Sequence, residues 1–186
     1  AGTNQATEGL KIPRAWNWAK HDKRNIKSIA ARHGKVKINT FPAVGTVRYL
    51  YNYFAKGVRW VDFLDMVDFN KADALDQLEK RYNYKRYKYK HYESVFTRFY
   101  QGYILPEKFG GDKRRPHLST LIISGQILRE EALIVMENPP YADEVELQRD
   151  KEYFLAKMQW DEAQLDAYLK APRREHDEYA SERWLW

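Results

Sequence analysis

Around residue 91, side chains with hydrogen-bonding chemistry recur at helical spacing. At 100° per residue, His91, Ser94, Thr97, Arg98 and Gln101 share one side of a helix expected over 91–105. A solvated face usually carries Lys and Glu in i,i+4 pairs. This one carries hydroxyls, an imidazole, an amide and a guanidinium, groups shaped for a ligand or a neighbouring element. Lys90 precedes it. The competing reading is an amphipathic core helix with a polar outside. Tyr92, Val95, Phe96, Phe99 and Tyr103 form the opposite, core-facing side, and Pro106 should close the helix.

A second cluster follows a loop marked by Gly110-Gly111. Asp112-Lys113-Arg114-Arg115 leads into Pro116, a natural first-turn residue, and the expected helix 116–124 stops at Gly125. His117, Thr120 and Ser124 share one side of it. Three cations at a helix entrance oppose its dipole, which a negatively charged ligand or acidic partner would offset. A solvated basic loop is the plainer alternative.

The run KHYES…TRFYQGYILPEKFG-DKRRPHLSTLIISGQ…REEAL resembles the C-terminal region of the N-acetyl sugar amidotransferases, PP-loop (ATP pyrophosphatase) enzymes of bacterial surface-polysaccharide synthesis. The likeness extends back through Gly2-Thr3-Asn4, Ala6-Thr7-Glu8-Gly9, Trp16-Asn17-Trp18, Asp22, Asn25-Ile26 and Asp68-Phe69-Asn70-Lys71. It fades after about Pro140. The chain departs from the family in having no cysteine motif and no Ser-Gly-Gly-x-Asp-Ser loop. It also carries Lys88 and Tyr89 where relatives have a small, Gly-rich approach to the Lys-His motif. The expectation is a C-terminal piece of a larger enzyme.

The resemblance implies a reaction. An acetamido group on a nucleotide-linked sugar of lipopolysaccharide O-antigen synthesis becomes an acetamidino group. ATP, with Mg²⁺, activates the amide oxygen, and ammonia from a partner glutaminase–cyclase pair displaces AMP. The departing pyrophosphate needs cations. Lys90, Arg98, Lys113, Arg114 and Arg115 are the candidates. His91 or His117 would carry a proton, and Ser94, Thr97 and Gln101 would orient phosphate or sugar. By resemblance alone, Thr3, Asn4, Thr7 and Glu8 approach ATP or the acceptor sugar. The candidate catalytic set is therefore Lys90, His91, Arg98 and His117, with no protein metal ligand assigned.

Bulk properties narrow the classes. The 186 residues include 44% hydrophobic ones, enough for a folded core. Charged content is 31% and mean hydropathy is −0.78, with no apolar run long enough to span a bilayer. With no cysteine, disulfides and thiol metal sites are excluded; a cytoplasmic location fits. A net charge of +6 and aromatic content of 15% suit a phosphate-bearing ligand, a nucleic acid or an acidic partner. Two alternatives stay open: a basic aromatic nucleic-acid-binding module, and a module docking the ammonia-supplying partner. Aromatics and cations interleave over 82–92 as on a single-strand platform. An extended, lysine-protected edge or connector is favoured there, making nucleic acid the weaker reading.

The fold expectation is mainly α: a multi-helix domain with at most short strands, the C-terminal part of an α/β PP-loop enzyme. Helices are expected over 18–33, ending at Gly34, from about 40 to 57, and over 71–81, 129–137, 143–157 and 161–169. Asn70 or Asp68 caps one, and Asp161 with Gln164 caps another. Short strands are conceivable at 35–38 and 58–63. The expected division is 1–15, the end of a truncated catalytic domain; 16–172, the helical domain; and 173–186, a charged tail.

Overall fold

The computed structural model describes residues 4–8, 22–87, 93–141 and 143–185. Its helices are α1 (Gln5–Glu8), α2 (Lys23–His33), α3 (Thr46–Leu50), α4 (Lys71–Tyr82), α5 (Val95–Phe99), α6 (Leu105–Phe109), α7 (Arg114–Ile123), α8 (Arg129–Glu137), α9 (Glu144–Met158) and α10 (Glu162–Lys170). Wider π-helical turns extend α3 over Tyr51–Ala55 and join α5 to α6 over Tyr100–Ile104. The fold is mainly α, and no strand occurs among the described residues. The segments 35–38 and 58–63, considered as strands, are irregular apart from the start of a 3-10 turn over Phe63–Met66. A strand needs a neighbouring ladder, and the described residues offer none.

The chain forms two compact units. One comprises Ala1–Trp16 and Asp62–Pro172; the other comprises Asn17–Val61 and Arg173–Trp186. In this partition residues 173–185 associate with 22–61, where the sequence division set 173–186 apart as a tail.

In the larger unit, Phe99 and Ile104 meet Phe154 and Leu155 of α9 and Leu165 of α10 in one core. Phe99 and Phe154 have ring centroids 4.9 Å apart, and Trp160 meets Phe154 edge-on at 6.0 Å. Pro106 does not close the helix as expected. It sits in the first turn of α6, and the helical path continues to Phe109. The preceding π turn widens the helix at the residues that the pyrrolidine ring would otherwise crowd. The path ends at Gly110, whose φ of +64° is left-handed. Phe96, placed with the core face, is 56% exposed, stacking on Tyr100 and Phe154 at the core's margin. Val145 of α9 is exposed as well.

The smaller unit is stitched by Asp22, the N-cap of α2. Its carboxylate accepts from the Asn25 amide at 2.8 Å and the Glu182 amide at 2.8 Å, and pairs with His176 Nε2 at 2.9 Å. Burial pushes Asp22 up, but the His176 bond and the two backbone N–H donors outweigh it and hold the carboxyl below its ordinary range. The Asn25 amide donates back to the His176 carbonyl at 3.1 Å. Glu182 accepts from the Thr46 N–H and hydroxyl, each at 2.8 Å. This explains why α3 begins at Thr46 rather than near 40: Gly45 has no side chain to cap it, and a remote carboxylate does so. A Cβ at Gly45 would lie 2.8 Å from Glu182 Oε1, so the glycine leaves room for that cap. Gly34 follows α2, but with extended rather than left-handed geometry.

Candidate functional site

Arg98 leaves α5 sideways and lands on α9. Its guanidinium forks onto both oxygens of Asp150, with Nη2 at 2.6 Å from Oδ1, and its Nη1 lies 3.2 Å from Glu146. The Tyr141 hydroxyl donates to the same Asp150 carboxylate. Asp150 is 1% exposed and Tyr141 5%. Hydrogen bonding to Asp150 raises the Arg98 guanidinium above its ordinary value. Burial pushes Asp150 up, yet the bonds from Arg98 and Tyr141 prevail and keep it ionised. Burial, then the adjacent carboxylate, drives the Tyr141 phenol well above the ordinary range. Gly102 makes the arrangement possible: a Cβ there would sit 2.7 Å from the Tyr141 ring.

The joint before α7 is equally committed. Arg114 pairs with Asp112 at 2.7 Å, while its Nη1 donates to the carbonyls of Val135, Asn138 and Pro139, capping the C-terminal end of α8. Lys108 does the same for α10, donating to the Tyr168 and Ala171 carbonyls. Arg98 and Arg114, both expected to face an anionic ligand, are engaged here by carboxylates and helix-end carbonyls of the fold itself. The Arg115 side chain is exposed and makes no hydrogen bond or ion pair with another described residue; its backbone N–H donates to the Asp112 carbonyl at 3.2 Å. Lys113 stands at the α7 N-cap position and His117 in the following turn, both half-buried.

The N-terminal residues come to α7. Ser124 donates to the Ala6 carbonyl at 3.0 Å, and the Gln5 amide donates to Asp65 at 2.7 Å. Asn4 caps α1, accepting from the Thr7 amide at 2.9 Å and its hydroxyl at 3.2 Å. Glu8 ends α1, exposed. Gln126, just past α7, spans the Phe69 carbonyl and the Lys71 amide, fixing the start of α4. Ser94 caps α5, receiving the Thr97 amide and hydroxyl, and Gln101 lies half-buried in the π turn. Thus α1, carrying Thr7 and Glu8 and preceded by Asn4, is gathered onto α7, whereas Arg98 of α5 lies on α9. Thr3, Lys90 and His91 lie outside the described residues. Arg86, from the aromatic run, is occupied by Asp76 and Glu79 of α4.

The family model described as LPS biosynthesis protein WbpG-like, C-terminal domain, matches residues 93–186. The chain belongs to this family. The WbpG-like match places it in lipopolysaccharide biosynthesis, and it covers α5 to α10 together with the segment that closes the smaller unit. No curated protein and no solved structure matches the chain. Among the described residues, no His, Cys, Asp or Glu cluster of the WbpG-like chain could hold a metal ion, and no helix is long and apolar enough to cross a membrane.

Sequence reasoning missed Asp150, Tyr141 and the Asp22–His176–Glu182 set. For Asp150 a signal existed. Leu147, Asp150 and Phe154 lie three and four residues apart on one face of α9, so an acid interrupts the buried stripe. Such an acid requires a buried cation.

Proposed function

We propose that this chain is the C-terminal part of an ATP-dependent N-acetyl sugar amidotransferase that converts an acetamido to an acetamidino group on a nucleotide-linked sugar in lipopolysaccharide synthesis. The amide oxygen attacks the α-phosphorus of ATP and pyrophosphate leaves. Ammonia then adds to the activated carbon, loses a proton, and expels AMP. Three groups on α7 suit this sequence. Lys113 and Arg115 would offset the pyrophosphate charge, and His117 would take up the ammonium proton. Asn4, Thr7 and Glu8 would orient ATP or sugar. Lys90 and His91 stay in the proposal through the family likeness alone. Among the described residues there is no cluster of three or more His, Cys, Asp or Glu to hold Mg²⁺, and no step is routed through that ion.

The observation that carries the reading is the docking of α1 on α7 through Ser124 and Ala6. It brings the element carrying Thr7 and Glu8 against the helix that carries Arg115 and His117. The test uses a protein in which a nucleotide-holding half precedes this chain. It is supplied with ammonia and nucleotide-linked N-acetyl sugar, and AMP release is measured. Arg115→Ala and His117→Ala should each lower turnover at least tenfold, the size of one lost electrostatic or proton-transfer contribution, with unchanged thermal unfolding. Full turnover in both variants removes α7 from the site.

A further inference from the structure

A helix normally turns its apolar stripe inward; in the smaller unit, α3 and its π extension turn theirs outward. Val47, Leu50, Tyr51 and Phe54 follow i, i+3, i+4, i+7 spacing and are 71%, 45%, 49% and 75% exposed. Cations flank this face and lean on its rings. Arg48 and Lys56 lie 5.6 and 5.8 Å from the Tyr51 centroid, and Arg59 lies 4.0 Å from that of Tyr53. From Lys35 to Val61 there are five Lys or Arg and no Asp or Glu. Glu182, the acid brought alongside, has its Oε2 occupied by Thr46.

We infer that this face is a peripheral contact for an anionic lipid bilayer surface, with Val47, Leu50 and Phe54 entering the headgroup boundary and Arg48, Lys56 and Arg59 reaching lipid phosphates. Aliphatic and aromatic groups on one face, long cations beside them and no carboxylates within the segment are the composition of an interfacial helix. Charge complementarity selects the occupant. A second copy placed face to face would set three cations against three. A nucleic acid would use the rings and cations but leave Val47 and Leu50 in water. The inference stands apart from the amidotransferase reading and uses none of its residues.

The test is co-sedimentation of this chain with vesicles of phosphatidylcholine alone or with one-third phosphatidylglycerol. The chain should pellet with the anionic vesicles, less so at 0.5 M NaCl, and stay in solution with neutral ones. A triple variant, Arg48→Gln with Lys56→Gln and Arg59→Gln, should bind roughly a hundredfold more weakly, from about fivefold per cation. Phe54→Asp should weaken binding at least tenfold. Far-ultraviolet circular dichroism would check that the variants keep their helices, and the lipid comparison on the unaltered chain needs no variant. Absence of binding to anionic vesicles overturns the inference. So does equal binding to neutral ones, or a concentration-dependent dimer in sedimentation equilibrium that Phe54→Asp abolishes. Retention on an acidic polypeptide column without vesicle binding would identify a protein-docking face instead, which also overturns it.

Discussion

Replacing Arg98 by Ala separates a residue that holds the fold from one that handles a ligand. The substitution leaves the Asp150 carboxylate, 2% exposed as a side chain, with only the Tyr141 hydroxyl for company. Breaking a buried ion pair from one side costs about 3–5 kcal/mol. The Arg98 side chain retains 12% exposure, which admits some water and sets the expectation at the lower end, about 3 kcal/mol. For a chain of this length that corresponds to a fall in Tm of roughly 6–12 °C, and in urea to a lower midpoint at unchanged slope. Arg98→Lys keeps a charge but loses the forked geometry and should fall between the two. Replacing the set with apolar groups, Arg98→Met, Asp150→Leu and Tyr141→Phe together, should recover most of the loss, because no buried charge or hydroxyl is then orphaned. Urea unfolding followed by circular dichroism reads all four proteins. Wild-type stability for Arg98→Ala, or a triple variant as unstable as the single one, would refute the structural role. Loss of activity at unchanged stability would return Arg98 to the ligand.

Much of the fold was legible because its signals are local. Asn70, Asp143 and the Asp161–Gln164 pair cap helices through residues two or three positions away. Gly110 and Gly125 carry the left-handed φ that other residues resist. The span of α8 follows directly from its neighbours. Illegible features depend on partners remote in sequence. Glu182 caps α3 across 136 positions, Arg114 caps α8 across 21 to 25, and Arg98 meets Asp150 across 52. Helical periodicity sorts residues by face but does not say what lies opposite, so a flank of His, Thr and Arg reads alike whether it meets a ligand or an acid on α9. The same blindness hides which cations of a basic joint the fold itself uses. One of its cations, Arg114, closes the end of α8, as Lys108 of α6 closes that of α10.

Gly102→Ala ought to favour helix by intrinsic propensity, yet its Cβ would lie 2.7 Å from the Tyr141 ring and 3.0 Å from the Pro140 carbonyl. Overpacking should prevail, with a net loss of about 1–2 kcal/mol in urea unfolding; a stabilised variant would show that Tyr141 yields freely. Asp22→Ala strands the donors of Asn25 and Glu182, a loss of about 3 kcal/mol that should loosen 173–185. Tryptic cutting at Arg173, Arg174 and Arg183 should quicken up to about a hundredfold, and an unchanged rate would mean the segment is held elsewhere. The last expectation concerns acid. Asp150 has a folded-state value below its unfolded one, so the carboxylate contributes stability above the ordinary carboxylate range and loses it as pH falls through the folded value. Asp22 is depressed in the same direction and adds to the effect in the other unit. Unfolding free energy should therefore be level near neutrality and decline below about pH 4. Asp150→Asn keeps an acceptor for Arg98 but no titrating group, so it should be less stable at pH 7 and show a shallower decline toward pH 3. A variant whose acid profile runs parallel to that of the unaltered chain would show that Asp150 is not an ionised partner of Arg98. The fork from α5 to α9 would then join the Arg98 cation to a neutral carboxyl.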